Sequence, residues 1–573
     1  MSCFSAIRLA LCVSIVAVAC GDDVSKGIPD AGTDAGTDAG PDYAYPITDV
    51  SVEWFSCSFI YGEDDGLAEC SSTAMPLFWN NPDGRTLEVY AKRLLSAQPV
   101  SEGQIWFLHG GPGASGVEGL PALMEKIQNL YPELDVYTID HRGVGDSGKL
   151  VCPEENEQDF DVEVCIEQVE TEIGDELQAY TTSDSAIDLA AYIEATREPG
   201  KKALIWGGSY GTFIGHRYLK IFPEQSDGVV FEGVCPADST FIWSPEGFDQ
   251  AGKDLFGACL KDDYCSMKWG KEPLEKIRDL FESVWYQDHC SDAENYQYYV
   301  PYVATRLLYY YPYHDVVPAL LYRLARCEPG DITAIRGAVD MLYGSDSTYQ
   351  DLGEGYSGVL YRNVVYSEMW EHSDFPDPVS LQLYWNELEA DAVFWTGSGE
   401  SMYDEWEVWP KYNDELHDDI WAQTDVPMLM LQGMLDPATH YSHAVTMGEQ
   451  LNGPNQTFLL FPTAAHNITS GTPVSDDPEE THCGRHLMVE FLKNPTAPLD
   501  TSCMDQVLFN NFEGNTDLAQ EVFGVSHLWE NGVSYSSERK TPISRADADY
   551  VRAELRRRAR QDLPDARRHL GYY

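Results

Sequence analysis

Six short runs of this chain are apolar but for a threonine in two of them, each bounded by glycine, proline or a charge: residues 105–108, 136–139, 203–206, 229–231, 428–431 and 457–461. A strand without a polar face has to be covered on both sides. Helix-like stretches such as residues 185–197 separate many of the runs and can supply that cover. The pattern predicts an α/β chain with a mostly parallel, doubly wound sheet. Residues 86–91 alternate instead, predicting a half-buried strand behind an irregular, disulfide-bearing segment that begins near residue 49. From about residue 238 to residue 421 the alternation stops and aromatic, helix-like sequence takes over, including residues 298–302 and 309–313. An insertion of that length between two strands predicts a helical cap over the carboxyl ends of the sheet, where open α/β sheets bind ligands. Most of its tyrosines are read as packing between cap helices, and a few as pocket lining.

The chain has 573 residues and is 43% hydrophobic, enough for one large core with insertions or for two to three domains. Its net charge of −57 excludes nucleic acid as a partner, because phosphates would be repelled. The charge is uneven, since residues 539–573 hold ten Lys/Arg against five Asp/Glu. The run Arg556-Arg557-Arg558-Ala559-Arg560 is read as a solvated tail lying on the acidic body.

The first residues read as an export signal: Arg8, then an apolar stretch over 9–19, then Ala17-Val18-Ala19-Cys20. Eleven apolar residues are too few to span a bilayer as a mature helix. The cysteine ending resembles a bacterial lipobox, which makes Cys20 the expected lipidation site, with ordinary secretion as the alternative. An Asp/Ala/Gly/Thr repeat over 30–42 is too polar and flexible to pack and suits a tether. The only membrane attachment expected is this lipid anchor. Local spacing among the fourteen cysteines pairs Cys57–Cys70, Cys152–Cys165, Cys259–Cys265, Cys290–Cys327 and Cys483–Cys503, as an oxidising compartment would allow. Cys235 is left over as a buried thiol. No cysteine pair has zinc-ligand spacing with histidines nearby, so neither a metal nor another cofactor is expected.

The chemistry is read from Gly207-Gly208-Ser209-Tyr210-Gly211, which joins the apolar run 203–206 to a helix-like run over 212–219. Strand, glycine-flanked serine and helix make a nucleophile elbow, which lifts a serine hydroxyl above the sheet edge. Such a serine needs a base, an acid to orient that base, and donors for an oxyanion. Run 105–108 leads into His109-Gly110-Gly111-Pro112-Gly113, so Gly110 and Gly111, together with the Tyr210 N–H, are the expected oxyanion hole. A phosphate loop is rejected because its Lys-Ser/Thr ending is missing. Run 428–431 ends just before Asp436, and run 457–461 leads to His466. The order Ser209, Asp436, His466 is that of α/β-hydrolases. His440, His443, His482 and His486 compete with His466 and are read as structural. Asp425 competes with Asp436 but precedes its strand. Arg142 is expected to pair with Asp140 and fix the oxyanion loop.

The stretches 109–116 (HGGPGASG), 140–148 (DHRGVGDSG) and 207–211 (GGSYG), with the Asp436 and His466 segments, resemble the prolyl iminopeptidase family of serine peptidases. The resemblance covers roughly residues 50–510 and is strongest to secreted tripeptidyl-aminopeptidase-like members. Their cysteine soon after the histidine, and another about twenty residues on, is matched by Cys483 and Cys503. His440 stands where that family usually has a proline after the aspartate.

The resemblance implies an α/β-hydrolase fold and an exopeptidase acting on a peptide substrate with a free N-terminus. Such an enzyme needs a partly desolvated carboxylate for the substrate's ammonium. The candidate is Glu368, in an apolar and aromatic setting, with pairing to Arg362 as its structural alternative. A carboxylesterase or other acyl hydrolase is the competing activity on this scaffold. The expected organisation is a signal peptide at 1–19, lipidated Cys20 and linker at 20–48, core at 49–240, cap at 241–421, the second part of the core with a tripeptidyl-aminopeptidase-like segment at 422–510, and an extension with a basic tail at 511–573.

Overall fold

A computed structural model describes residues 50–60, 65–152, 161–344, 355–394, 398–414, 416, 421–475, 477 and 482–535. The expected signal peptide, Cys20, the linker and the basic run 556–560 lie outside the described residues.

Nine strands form one sheet: β1 (Phe55–Cys57), β2 (Ala68–Pro76), β3 (Thr86–Leu94), β4 (Gly103–Leu108), β5 (Leu134–Ile139), β6 (Lys202–Gly208), β7 (Gly228–Glu232), β8 (Met428–Gly433) and β9 (Gln456–Phe461). Their spatial order is β1-β2-β3-β5-β4-β6-β7-β8-β9. From β5 to β9 every pairing is parallel, and β4, β6, β7 and β8 lie between them with few or no exposed residues, as wholly apolar strands require. The first three strands are antiparallel, with β3 joined antiparallel to β5. Here the reading of an irregular segment from residue 49 is corrected. The Cys57–Cys70 disulfide lies on a hairpin-like pair, β1 and β2, whose mixed Ala-Glu-Cys-Ser-Ser-Thr sequence hid the strand pattern.

Helices cover both faces. The helix Thr182–Thr196 and the helix Tyr210–Ile221 pack on one, and the helices Pro121–Leu130 and Cys483–Lys493 pack on the other. Arg142 and Asp140 do not pair, contrary to expectation. The Arg142 guanidinium is fully buried, donates to both oxygens of Asp188 at 2.6 and 2.8 Å, and reaches three backbone carbonyls. Asp140 turns the other way, towards the loop after β4. Two residues that share a loop were assigned to each other when each served a different neighbour.

Between β7 and β8 the described elements are all helical, from Ser244–Cys259 to Ser398–Val408. Those over residues 244–343 enclose a second hydrophobic core with Val393 and Phe394, the later ones pack on the core of the sheet, and Phe512, Leu518, Phe523, Leu528 and Trp529 complete the second core. Trp529 is fully buried and donates its indole N–H to the Phe512 carbonyl at 2.7 Å. Arg323, also fully buried, donates to the His527 and Glu530 carbonyls and to Asp331. The segment over 511–535 is therefore part of the cap and no mere appendage. Replacing Trp529 with Ala is expected to destabilise the protein by about 3–5 kcal/mol, the usual loss for emptying a buried tryptophan site. A urea titration measures it, and an unchanged midpoint would mean that this segment is not needed by the cap.

Among the described residues five disulfides are present, Cys57–Cys70, Cys152–Cys165, Cys259–Cys265, Cys290–Cys327 and Cys483–Cys503, and Cys235 is a buried free thiol. Two of them staple the cap. Among the described residues no helix is long and apolar enough to cross a membrane, and no group of acidic, histidine or cysteine side chains is placed to hold a metal ion.

Candidate active site

Ser209 sits between β6 and the helix Tyr210–Ile221 with φ 56° and ψ −126°, a conformation that side-chain-bearing residues rarely adopt. The turn leaves no room for side chains around it. A Cβ on Gly207 would lie 2.5 Å from the Gly211 carbonyl oxygen, and one on Gly211 would lie 2.2 Å from that of Leu108. Both contacts are with backbone, so nothing can step aside. The Ser209 N–H donates to the Glu232 carbonyl at 2.9 Å, which ties the elbow to the end of β7.

The loop after β4 passes directly over the serine. A Cβ on Gly110 would come within 2.7 Å of the Ser209 Cβ, so only glycine lets the backbone approach so closely. Gly111 takes φ 124° in the turn beyond it. Asp140 anchors this loop: its carboxylate accepts from Ser115 Oγ at 2.7 Å, the Val117 N–H at 3.0 Å and the Asp146 N–H at 3.2 Å. Complete burial outweighs these bonds and pushes its carboxyl up to about 6. Tyr210 opens its helix, so its N–H is one of the four without an intrahelical acceptor. Its phenol points away, to Thr182 Oγ1 at 2.8 Å.

Asp436 and His466 meet. His466 Nδ1 lies 2.9 Å from both carboxylate oxygens of Asp436, and both side chains are buried. The carboxylate also accepts from the Ala438 and Thr439 N–H groups, Thr439 Oγ1 and Gln432 Nε2. Burial works to raise the Asp436 carboxyl, but the His466 imidazole and the Thr439 bonds overcome it and hold the group below its ordinary value. The other ring nitrogen, Nε2, is buried and makes no hydrogen bond among the described residues. It belongs to a ring that lines the same cavity as Ser209 and Gly110. A histidine locked at Nδ1 and open at Nε2, beside a strained serine, can take up a proton from a hydroxyl.

The competitors are accounted for elsewhere. His440 caps the helix Tyr441–Gln450, and His443 stacks on Trp243 with ring centroids 4.0 Å apart. His482 stands at the N-terminus of the helix Cys483–Lys493, on which His486 lies. Asp425 is exposed before β8, at the opposite end of the strand from the site.

Glu368 is where the sequence reading and the structure part. It is buried, but its carboxylate accepts from the Thr182 N–H at 2.9 Å and from the Tyr412 hydroxyl, and is ion-paired with Arg217 at 3.3 Å. It does not line the cavity of Ser209. Arg217 is shared with Asp414, to which it donates at 2.5 Å. Arg362, its expected structural partner, pairs with Glu405 instead.

Cavity residues that escaped the sequence reading include Glu232, Lys126 and Arg485, whereas a few cap tyrosines were expected to line a pocket. Tyr310 comes from the cap tyrosine run, and the neighbouring Tyr309 carbonyl accepts the His466 N–H at 3.2 Å. For Glu232 a signal existed. It is a charged residue ending the otherwise apolar β7, at the carboxyl edge where ligands bind.

Comparison with known proteins agrees with this geometry. Residues 105–255 match the family model described as alpha/beta hydrolase fold, and residues 394–503 match that described as TAP-like protein. The chain is similar to a tripeptidyl aminopeptidase of Streptomyces lividans, 23% identical over 440 residues, which are 70% of this chain and 78% of that one. It is also similar to the serine protease Hip1 of Mycobacterium tuberculosis, 25% identical over 39% of this chain and 48% of the other. A third relative, the putative hydrolase YuaR of Escherichia coli, is 25% identical over 34% of this chain and 43% of its own.

Proposed function

We propose that this α/β-hydrolase, with its TAP-like C-terminal segment, is an exported serine peptidase that releases residues or short peptides from free N-termini. The observation that carries the reading is the pairing of His466 Nδ1 with Asp436 while Nε2 stays open on the cavity of Ser209. Ser209 Oγ attacks the scissile carbonyl and passes its proton to His466 Nε2. The developing oxyanion is met by the N–H of Tyr210 and by backbone N–H of the Gly110-Gly111 loop; one such donor contributes about 3–4 kcal/mol. His466 then protonates the leaving amine, and water, activated by the same nitrogen, releases the acyl group. Similarity to a tripeptidyl aminopeptidase and a serine protease, together with the prolyl iminopeptidase-like HGGPG stretch, favours an amide over an ester as the substrate.

A panel of Pro-, Ala- and tripeptidyl-anilides set against short-chain esters tests the reading. Turnover of at least one free-amine anilide is expected, and turnover of esters alone would overturn it.

Export rests on the Arg8 to Cys20 segment and on a disulfide content suited to an oxidising compartment. Replacing Cys20 with Ser is expected to move the protein from the membrane fraction to the soluble fraction. Equal membrane retention of both forms, measured by fractionation and immunoblot, would sink the lipid anchor.

A further inference from the structure

Ser209 holds a φ of 56°, and a backbone strained in that way persists only where its surroundings over-determine it. One restraint is the Glu232 carbonyl, which accepts the Ser209 N–H. Another lies behind the serine, on the face of the helix Tyr210–Ile221 that carries Tyr210, Phe213 and Arg217 at helical spacing. The Tyr210 ring stacks on Phe213, and the Arg217 guanidinium sits over Phe213, 5.7 Å from its ring centroid. Arg217 is buried between two carboxylates from the cap insertion and the first turn of the helix Thr182–Thr196. It donates to Asp414 and to Ser183 Oγ at 2.5 Å each and to Glu368 at 3.3 Å, and Ser183 Oγ donates on to Asp414 at 2.6 Å.

These bonds close a ring. The Tyr210 and Thr182 hydroxyls share a hydrogen bond of 2.8 Å, and the Thr182 N–H donates to Glu368 Oε1 at 2.9 Å. Glu368 Oε2 then pairs with Arg217, on the helix that Tyr210 begins. Glu368 is the last residue of the cap helix Gly358–Glu368, which packs on the core of the sheet. Every member is buried, so a broken link leaves a polar group with no water to replace its partner. We propose that this ring is the joint through which the cap sets the nucleophile elbow: Glu368, Arg217 and the Tyr210 phenol are positioning residues that fix the tilt of the helix, and with it the Tyr210 N–H that meets the oxyanion. The inference rests on the Ser209, His466 and Asp436 mechanism above and not on the choice of amide over ester. Tyr210, Thr182, Arg217 and Glu368 do not line the cavity of Ser209. Loosening the ring therefore reaches the transition state, where the N–H acts, and spares the bound substrate.

The test compares Tyr210→Phe and Glu368→Gln, singly and together, on the best anilide or ester, with Glu405→Gln as the control. Glu405 holds Arg362 and Tyr366 of the same cap helix and stands outside the ring. Each single variant is expected to lower kcat about tenfold with KM within about twofold, short of the roughly 10²–10³-fold cost of losing an oxyanion donor outright. The double variant should fall no more than about threefold below either single one, because one broken link already opens the ring. Glu405→Gln should keep kcat to within about twofold of wild type. Unchanged kcat in the single variants would overturn the proposal, and so would losses that multiply to about a hundredfold in the double variant. A rise in KM at constant kcat, or an equal loss of kcat in Glu405→Gln, overturns it too, since the ring would then shape the pocket or merely stiffen the cap. Active sites are counted by fluorophosphonate titration, so partial unfolding does not pass for a loss of kcat. Should Glu368→Gln fail to fold, Arg217→Lys takes its place: it keeps the charge but cannot fork to both carboxylates, and the same outcomes decide. An enzyme that turns over esters but no anilide loses the peptidase reading, while the ring is still tested on the ester.

Discussion

Ser209→Ala is expected to lower turnover about 10⁶-fold, with the unfolding midpoint unchanged to within about 0.5 kcal/mol. The size follows from how much converges on one oxygen. The elbow holds Ser209 at φ 56°, the Gly110 backbone crosses it, and His466 stands open on the same cavity. Removing the hydroxyl leaves the base and oxyanion donors with nothing to activate, and only a residual rate over water remains. Relief of the strained backbone does not arise, since alanine needs the same positive φ. Single-turnover kinetics with the best anilide, and loss of labelling by a fluorophosphonate, measure the effect. A variant that kept more than about a hundredth of the activity would show that Ser209 is not the nucleophile.

The second large effect is expected from Asp436→Asn, about 10⁴-fold in turnover. The Asp436 carboxylate accepts from His466 Nδ1, two backbone N–H groups, Thr439 Oγ1 and Gln432 Nε2, and so is surrounded by donors. An asparagine amide would turn an N–H₂ towards at least one of them. Either a donor meets a donor, or His466 changes tautomer and presents N–H at Nε2, where it can no longer accept the serine proton. The fold should survive, because the side chain keeps its shape. Turnover within tenfold of wild type would mean that another acid orients His466.

How much of this could be read from residues alone depended on whether the cause was local. Five of the six apolar runs became central strands because a strand buried on both faces has no other composition available, and the sixth, 457–461, became the edge strand β9. The GGSYG turn was legible because backbone clashes at Gly207 and Gly211 admit only glycine. Asp436 and His466 were found because each follows a strand at the carboxyl edge. Long-range pairing was not legible. Arg142 chose Asp188, 46 residues away, over Asp140 two residues away. Glu368 chose Arg217, 151 residues distant, over Arg362 six residues away. Glu232 was passed over although it ends an apolar strand, because its place on the cavity wall depends on loops from elsewhere. The end of the chain, read as an extension, was half cap because Trp529 and Phe523 fit a core assembled from residues 248–394.

That last arrangement sets an order of events. A chain emerging from the ribosome folds from its N-terminus as residues become available. The catalytic frame over β4 to β9 is complete once residue 466 and the helix Cys483–Lys493 have appeared. The cap helices are made earlier than that, yet Trp529 and the Arg323 acceptors at His527 and Glu530 are made after it. The roof thus waits, with an apolar seat open, for residues 512–529. A polypeptide cut short near residue 510 would carry every reacting group beneath an unfinished roof.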